Sequence, residues 1–348
     1  MWKKIVFSLF LVISAAIGFL AAKAQVTLFS TFNQAHRDYE NKLADVDLGD
    51  IEVNSDKNIV NILVVGNDFR EESGYSASGL TDTMIIATMD KKHGALKTAS
   101  LMRDCCVEIP GYGYNKLNSA NSFGKIELLY KTIAQNFNIR LDGYVEIDFN
   151  SFVDVVDAVG GVKVTLTESE AEYLNTTNFI RKKQYRNVKV GEQTLNGHQA
   201  LGYCRIRKKG TTVNGLRDDY GRTWRQRTVI NAVFDKVKKM PKTKWLSVAN
   251  KVMKNIKTDL TNEEILSYLV DVLTMGTTKI HQLQIPLEGY YRTVYNGEFP
   301  KLGSCLVMTD GVSTEYNVME NANALNEYIF SYNGKNSFKY GSFESKEE

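Results

Sequence analysis

Apolar runs alternate along the chain with stretches whose apolar residues recur at helical spacing. Residues 58–68 read NIVNILVVGND, a continuous apolar run that ends in glycine and polar residues, as is typical of a strand buried on both faces. DTMIIATMD at 82–90 and ALKTASLMRD at 95–104 predict two more strands, and the polar turn at 91–94 is of the kind that joins a hairpin. This part of the chain therefore predicts adjacent strands of one sheet.

Helices and further strands follow in alternation. LNSANSFGKIELLYKTIAQNF at 117–137 has the apolar spacing of a helix, and GYVEIDFNSFVDVVDAVGGVKVTL at 143–166 predicts a strand, a helix, a Gly-Gly break and another strand. TWRQRTVINAVFDKVKKM at 223–240 predicts a further helix. The whole pattern predicts an α/β fold, a mixed sheet flanked by helices, in one domain over residues 58–332 with a polar tail at 333–348.

The N-terminal segment is a separate, strongly apolar element. Residues 5–22 read IVFSLFLVISAAIGFLAA, an uncharged run of 18 residues that as a helix spans about 27 Å, close to the hydrocarbon core of a bilayer. Two lysines precede it, so the positive-inside rule predicts a cytoplasmic N-terminus at 1–4, a transmembrane anchor at 5–24 and an extracytoplasmic spacer at 25–57. Ala-Lys-Ala at 22–24 resembles a cleavage site, and a secretory signal peptide is the alternative. Both interpretations export the domain.

Composition limits the classes of partner. The 348 residues include 43 Lys and Arg against 40 Asp and Glu, and the net charge of +3 is too small for a surface devoted to nucleic acid. With 43% hydrophobic residues, the chain can bury a large core. The sequence lacks nucleophile-elbow, zinc-protease, P-loop and dinucleotide-binding motifs. Any cationic site must therefore be local.

Such a local site is indicated by YCRIRKKGTTVNGLRDDYGRTWRQR at 203–227, which contains six arginines and two lysines. In GYCRIRK the apolar or small residues alternate with Arg205 and Arg207, which predicts a strand that projects both guanidiniums from one face. The two side chains are expected to grip one ligand. The alternative is a buried partner or a solvated face neutralised by Asp218 and Asp219.

The helix that follows adds a second group of side chains. Asp219 and Gly221 predict the turn into this helix, on which Arg222, Arg225 and Gln226 lie three or four residues apart and share a side. Arginine is preferred where phosphate oxygens are bound by several planar contacts, and a helix N-terminus adds partial positive charge. The two groups together predict a site for a pyrophosphate or phosphodiester. A solvated face is expected for the remaining cations of the stretch, Lys208, Lys209, Arg217 and Arg227.

Two aspartates stand at strand ends. Asp68 closes the first strand and Asp82 opens the next, so adjacent strand ends can bring their carboxylates together. Hard oxygen ligands suit Mg²⁺, with Mn²⁺ as an alternative, and substrate phosphates complete the shell of the metal. Capping and turn formation are the alternative role for such residues. Arg70 and Arg103 also end strands, where the alternative to phosphate binding is a salt bridge to Asp68 or Asp104.

The four cysteines are too few for a disulfide framework and lack the spacing of a zinc site. They are Cys105, Cys106, Cys204 and Cys305. They are expected to be small buried residues. Because the domain is predicted to be exported, one bridge from Cys204 to Cys105 or Cys106 is the alternative.

Residues 58–240 resemble the LytR-CpsA-Psr family of Gram-positive cell-wall enzymes, through the ordered motifs GNDFR, TDTM, MRD, IPGYG, LNSANSFG, VEIDFNSFVDVVDAVGGV, LNGHQALGYCRIR and DYGRTWRQR. The resemblance implies a single-pass membrane protein with an extracytoplasmic α/β domain. It also implies a phosphotransferase that moves a glycopolymer, such as teichoic acid or capsular polysaccharide, from a polyprenyl-pyrophosphate carrier onto peptidoglycan. The expected partners are the lipid-linked donor, the peptidoglycan acceptor and membrane lipid, without nucleic acid.

Position by position, the resemblance implies roles for the site residues. Asp68 and Asp82 would hold Mg²⁺ against the pyrophosphate. The phosphates would be surrounded or supported by Arg70, Arg103, Arg205, Arg207, Arg222 and Gln226. The catalytic set would be Arg103, Asp104, Arg205, Arg207 and Asp219, in which Asp104 or Asp219 accepts the proton of the attacking hydroxyl. The helix and strand in FVDVVDAVGGV would enclose the polyprenyl tail, as ordinary core packing also predicts.

Two residues depart from the pattern of the family. Leu80 stands where the family usually has an arginine, and Cys105 replaces the threonine after Arg103-Asp104. Two rival functions keep the anion site: a pyrophosphatase or carrier-binding protein, and a noncatalytic sensor or regulatory protein of the envelope. Export, the modest net charge and the absence of a basic recognition helix oppose a DNA-binding protein.

Overall fold

The computed structural model describes residues 27, 30–31, 33–67, 81–207, 210–254, 256–277, 279–295, 302–334, 338 and 340. Its strands are β1 His36–Arg37, β2 Ile59–Asn67, β3 Thr81–Asp90, β4 Ala95–Leu101, β5 Cys105–Ile109, β6 Gly113–Lys116, β7 Gly143–Asp148, β8 Val162–Leu166, β9 Gly191–Leu195, β10 Ile256–Thr258, β11 Ile280–Ile285, β12 Tyr291–Val294 and β13 Cys305–Met308. Its α-helices are α1 Leu117–Phe137, α2 Phe149–Ala158, α3 Glu168–Thr176, α4 Gly197–Arg205, α5 Asp218–Lys239, α6 Lys242–Met253, α7 Asn262–Thr274 and α8 Met319–Phe330. Single 3-10 turns are Tyr39–Asn41, Leu43–Asp45 and Lys183–Tyr185.

A seven-stranded mixed sheet in the order β1-β10-β7-β2-β3-β4-β11 forms the centre of the described fold. β2 lies in the middle, antiparallel to β3 and parallel to β7. It is covered on both faces, as predicted, because Leu63 belongs to the main hydrophobic core while Val64 lines a pocket on the other side. β3 and β4 form the predicted hairpin, with Met84 opposite Leu101. The predicted α/β class and the mixed sheet are confirmed.

Helices cover both faces of this sheet. On one face, α1 and α8 pack in the main core together with Leu63 and Tyr144. On the other face, α6 and α7 pack over Val145 and Ile147 of β7. Residues that alternate along β7 therefore belong to different layers, which is the period-two pattern of a strand buried between two layers. The second face also carries α2, α4 and α5, which form the walls of the pocket described below.

Two smaller sheets extend from this centre. One has the order β12-β13-β5-β6, and the other is the hairpin of β8 and β9. The chain passes from β4 of the central sheet to β5 of the first small sheet through Met102, Arg103 and Asp104. This short connection fixes two candidate site residues between two sheets.

The segment GYCRIRK does not form the predicted strand. It lies mostly in α4, whose first turn is stabilised by a capping box between Asn196 and Gln199. Arg205 is the last residue of the helix, and Arg207 follows it. The prediction failed because alternation over a few residues is a weaker signal than the capping box that precedes them. Both guanidiniums nevertheless line the same pocket.

The described residues before 58 contribute to the central sheet. β1 pairs with β10 at the sheet edge, with His36 in register with Lys257. Leu43 is buried, and its backbone N–H donates to the Asp259 carboxylate at 2.8 Å. The segment named a spacer from its sequence therefore supplies an edge strand and core contacts.

Several predicted features lie outside the described residues: the anchor at 5–24, Asp68, Arg70 and Leu80. Within the described ranges, no helix combines the length and the apolar character needed to cross a bilayer. The limits of the anchor, the domain and the tail stay predictions.

The four cysteines are free and buried, so the alternative of a bridge from Cys204 is wrong. Cys204 lies in the core between α4 and α5, whereas Cys105 belongs to the main core and Cys106 packs with Cys305. Because these cores are separate, Cys204 does not pair with Cys105 or Cys106, even though each of the three lies near an arginine in the sequence.

Candidate functional site

A cavity of about 340 Å³ opens where β2 and β7 end and β3 begins. Its walls come from α2, α4 and α5, and its lining divides into two chemical halves. The polar half contains Asp82, Arg103, Arg205, Arg207, Arg222 and Gln226. The apolar half contains Val64, Ile85, Ile147, Phe149, Phe152, Phe179, Leu201 and Ile230. This lining fits an elongated guest with an anionic head and a hydrocarbon body.

Arg103 and Asp82 form an ion pair at the polar end of the cavity. Arg103 follows the end of β4 and Asp82 lies near the start of the antiparallel neighbour β3, so the hairpin itself brings them together. The Nε atom of Arg103 lies 3.5 Å from the carboxylate of Asp104. The connection between the two sheets therefore supplies both signs of charge.

A network of charges links Asp104 with the start of α5. Arg207 lies 2.7 Å from the Asp219 carboxylate and 3.7 Å from that of Asp104. Arg222, one turn after Asp219, approaches it at 3.2 Å, and Lys116 approaches Asp104 at the same distance. The structure therefore brings the two predicted groups of residues together. Arg207, which was predicted to lie on a strand, instead follows the end of α4.

The surroundings shift the pKa values of Asp104 and Asp219 in opposite directions. Burial raises the pKa of Asp219, and the neighbouring Asp104 carboxyl adds to the rise, while Arg222 and Arg207 oppose it. For Asp104, burial also favours the neutral form, but its hydrogen bond with Asp219 and the charges of Arg103 and Lys116 lower its pKa overall. As the pH falls, Asp219 is therefore the member of the pair that takes up a proton first.

The arginines of the polar half keep unused donors. The buried Nε atom of Arg222 makes no hydrogen bond, and that of Arg103 has only its long contact with the Asp104 carboxylate. Burial lowers the pKa of Arg222 to about 10, so its guanidinium remains cationic at neutral pH. A buried donor without an acceptor is costly, and an anion in the cavity would remove this cost.

Arg205 lies at the junction of the two halves. Its guanidinium carbon lies 5.0 Å from the ring centre of Phe149 and 5.4 Å from that of Phe179. Cation–π contacts of this kind hold the side chain against the apolar wall. A ligand that reaches Arg205 from the apolar half therefore meets the first positive charge at this point.

Two arginines of the cluster do not belong to the site. Arg225 was predicted to share a side with Arg222 and Gln226, but it is fully buried and pairs with Glu170 at 2.7 Å. Arg227 was assigned to a solvated face, but it is buried and donates to Gln284 at 2.7 Å. Both predictions failed because Arg225 and Arg227 flank Gln226, about 100° around the helix axis on either side, and so leave the face that Arg222 and Gln226 turn toward the cavity.

Sequence reasoning also missed three contributors to the site, Lys116, Phe149 and Phe179. A lysine that pairs with Asp104 and aromatic rings beneath Arg205 come from distant segments, so no local pattern marked them. The predicted apolar wall from α2 is represented by Phe152. These roles become visible only from the tertiary contacts of the folded chain.

The predicted metal site is described for Asp82 alone. Its carboxylate is 31% exposed at the rim of the cavity and offers the hard oxygen that Mg²⁺ prefers. Among the residues that the structure describes, no three His, Cys, Asp or Glu side chains are grouped to hold a metal ion. Mg²⁺ needs only one or two protein carboxylates when substrate phosphates complete its shell, so the donor at Asp82 fits this metal.

Comparisons with known proteins agree with this architecture. Polyisoprenyl-teichoic acid–peptidoglycan teichoic acid transferase TagU of Enterococcus faecalis is 31% identical over 286 residues, which cover 80% of this chain and 86% of that protein. TagU of Bacillus anthracis is 30% identical over 270 residues, which cover 76% of this chain and 82% of that protein.

Solved structures give the same result for the fold. Bacillus subtilis TagV matches with a TM-score of 0.58 and 26% identity over 79% of this chain and 98% of that one. YwtF (TagT) with bound octaprenyl pyrophosphate lipid matches with a TM-score of 0.56, and at 22% identity over 85% of this chain and 99% of that one it supports the fold alone. The model of the LytR_cpsA_psr family matches residues 25–305, and the chain belongs to this family.

Proposed function

We propose that this protein transfers a glycopolymer of the teichoic acid or capsular type from a polyprenyl-pyrophosphate carrier to peptidoglycan. The observation that carries the proposal is that an arginine-rich half and an apolar half adjoin within one cavity. The teichoic acid transferases that resemble the chain act, by their names, on a donor of this class. The donor requires both halves of the cavity at once.

The donor would lie along the cavity in one orientation. Its hydrocarbon chain contacts Phe152, Leu201 and Ile230, and its pyrophosphate meets Arg205 at the junction. The guanidinium groups of Arg103 and Arg222, which line the polar half, then bind phosphate oxygens. Because the two halves differ chemically, the donor binds in one direction. The phosphorus atom that carries the glycan then lies at the open, polar end of the cavity.

The chemistry is displacement at that phosphorus by a hydroxyl of peptidoglycan. The bond to the polyprenyl phosphate breaks as the bond to the acceptor oxygen forms, and the arginines stabilise charge on the phosphate oxygens. Asp219 takes the proton of the hydroxyl, because its raised pKa makes it the stronger base of the pair. Asp104, whose pKa is lowered, remains a carboxylate and holds Arg207 and Lys116.

Mg²⁺ is proposed as the cofactor, with Asp82 as one ligand and Asp68 as the second. When bound, the ion would neutralise charge on the pyrophosphate oxygens. Asp82 also fixes Arg103 by the ion pair between them. The same carboxylate would thus position the metal and one phosphate-binding arginine.

The chain is further proposed to be a single-pass membrane protein with its domain outside the cytoplasm. The support is the uncharged run at 5–22 with two lysines before it. A lipid-linked donor and a peptidoglycan acceptor meet only at the outer face of the membrane.

The proposal is tested with the full chain in detergent or bilayer, a lipid-linked glycan, peptidoglycan and Mg²⁺. Glycan bound covalently to peptidoglycan, with release of polyprenyl phosphate, is the expected result. Release of phosphate without attachment would identify a pyrophosphatase. Tight binding of the lipid with neither product would leave a carrier-binding protein, and either result would contradict the transferase.

Asp82→Asn is expected to raise the Mg²⁺ concentration required for half-maximal transfer by at least about tenfold, because a carboxylate ligand becomes a neutral amide. The measurement is the initial rate as a function of Mg²⁺. Asp235→Asn, at an exposed position far along α5, is the matched control. A fall in kcat with an unchanged Mg²⁺ midpoint would show that Asp82 acts only through Arg103.

Asp219→Asn is expected to lower kcat by roughly 10²- to 10⁴-fold and to remove the acidic limb of the pH profile. In the unaltered enzyme kcat rises as Asp219 loses its proton, and the raised pKa moves this limb to higher pH than an unperturbed aspartate would give. The neighbouring exposed Asp218 has a φ of 49°, which asparagine adopts readily, so Asp218→Asn is the control.

The same pKa fixes the sign of the effect on stability. Because the pKa of Asp219 is higher in the folded chain than in the unfolded one, its contribution is fully present below the unfolded pKa and is lost as the pH rises through the folded pKa. Asp219→Asn should therefore not lower Tm at neutral pH through this group. A large loss of Tm would mean that the activity result reflects misfolding.

A further inference from the structure

Residues 236–258 form a segment of one charge sign, named here the lysine segment. It contains eight lysines and no aspartate or glutamate, in a chain whose net charge is only +3. Asp235 precedes it, and Asp38 pairs with Lys257 at 2.6 Å. The eight lysines outnumber these two carboxylates, so the segment is formally basic in sequence.

The fold displays this charge on an outer surface. The lysine segment covers the end of α5, all of α6 and β10. Val252, Met253 and Ile256 pack inward, whereas the lysines at 238, 239, 244, 251 and 254 are exposed. The half-buried indole of Trp245 lies between them and donates to the Met240 carbonyl at 3.3 Å. Because the apolar residues of α6 are used inside the domain, the exposed lysines are the part of this surface that anionic headgroups would attract.

The lysine segment also lies where the chain from the N-terminus enters the domain. β1 pairs with β10, and Ala35 packs against Met253 and Ile256. From residue 24, where the proposed anchor ends, to Ala35 an extended chain reaches at most about 40 Å. The anchor therefore holds Ala35 within about 40 Å of the bilayer, so the neighbouring lysine segment can reach the membrane surface.

The apolar half of the cavity adjoins the same surface. α6 packs against α2, and α2 supplies Phe149 and Phe152 to the cavity. A bilayer in contact with α6 would therefore lie beside the wall that receives the hydrocarbon chain. A carrier lipid could then enter the cavity without exposing its whole length to water.

We propose that the lysine segment docks on the anionic phospholipid headgroups of the membrane that carries the anchor. Docking holds the domain in one orientation, with α2 and the apolar half of the cavity toward the bilayer. The attraction is electrostatic, falls off within a Debye length and weakens as salt is added. The inference rests on the anchor of the proposed function and adds a second, reversible membrane contact.

The test uses the full chain in nanodiscs of phosphatidylcholine alone or with phosphatidylglycerol. Ser247→Cys places a fluorophore at an exposed position of α6. The native cysteines are buried, and burial raises the pKa of Cys204 to about 12, so they label slowly. Quenching by a headgroup-attached quencher measures proximity to the bilayer surface.

Stronger quenching is expected with phosphatidylglycerol than without it, and it should decline as salt is added. Lys239→Glu, Lys244→Glu and Lys254→Glu together should reduce it to the level in phosphatidylcholine. The same charge change in Lys57→Glu, Lys125→Glu and Lys131→Glu, away from the lysine segment, should leave it unchanged.

Three results would contradict the proposal. Equal quenching in both lipids at all salt concentrations would show that the lysines make no headgroup contact, and this arm needs none of the charge-reversed variants. A label that responds to soluble poly(glycerol phosphate) and not to anionic lipid would assign the surface to polymer. Failure of the chain to insert into phosphatidylcholine nanodiscs would overturn the anchor and the docking together, whereas transferase activity is measured separately.

Discussion

Arg222→Ala is expected to lower kcat for glycopolymer transfer by roughly two to three orders of magnitude. Arg222 is only 6% exposed, lines the polar half of the cavity and has a buried Nε without a hydrogen-bond partner. A fixed cation of this kind costs no reorganisation when charge develops on the phosphate oxygens. Arg222→Lys should recover part of the rate, because it restores charge but not the planar donor fork.

The measurement is single-turnover transfer with saturating lipid-linked donor, with Tm determined in parallel. Arg217→Ala is the matched control, since Arg217 is exposed and stands immediately before the same helix. It should leave kcat within about twofold of the unaltered enzyme. Full activity of Arg222→Ala would remove Arg222 from the site, and equal losses in both variants would indicate an effect of charge on the surface.

The second large effect concerns stability. Arg225→Met and Glu170→Gln are each expected to lower the free energy of unfolding by about 3–5 kcal/mol, because each leaves its partner buried without an opposite charge. Both side chains are fully buried. Arg225 also donates to the carbonyls of Ile206 and Gly210 at 3.1 and 2.7 Å, so it fixes the chain on either side of Arg207.

Chemical denaturation of the full chain in detergent measures both values. Because the pair acts as a unit, Glu170→Leu with Arg225→Met should cost less than the sum of the single changes. The exposed pair of Lys163 and Glu192, with a separation of 2.6 Å, is the control. Lys163→Met should change stability by at most about 1 kcal/mol. Similar losses for the two pairs would show that burial does not set the cost.

Elements with a long, regular pattern were predictable from the sequence. The apolar run of β2 and the polar turn between β3 and β4 gave the centre of the sheet. The helix over 117–137 followed from its spacing, although Gly124 and Lys125 leave the helical conformation and divide it into two parts. α4 was misread as a strand, because seven residues satisfy alternation by chance while the capping residues before them decide the conformation.

The site was predictable in composition rather than in arrangement. Arg205, Arg207, Arg222 and Gln226 do line one cavity, as their spacing and the family resemblance implied. The burial of Arg225 depends on Glu170, 55 residues earlier, and the opposite pKa shifts of Asp104 and Asp219 depend on contacts between two sheets and a helix. Such long-range contacts leave no periodic signal in the sequence. Asp68 and Arg70 stay predictions.

The three sides of α5 have a consequence for how the polymer preference of such an enzyme can change. Arg222, Gln226 and Ile230 face the cavity, while Arg225 and Arg227 on other sides hold α3 and β11. Neighbouring residues of this helix therefore have different roles: some contact the ligand and others stabilise the fold. Directed evolution toward a new glycan should gain little from randomising residues 222–227. The productive library would vary exposed positions around the open end of the cavity.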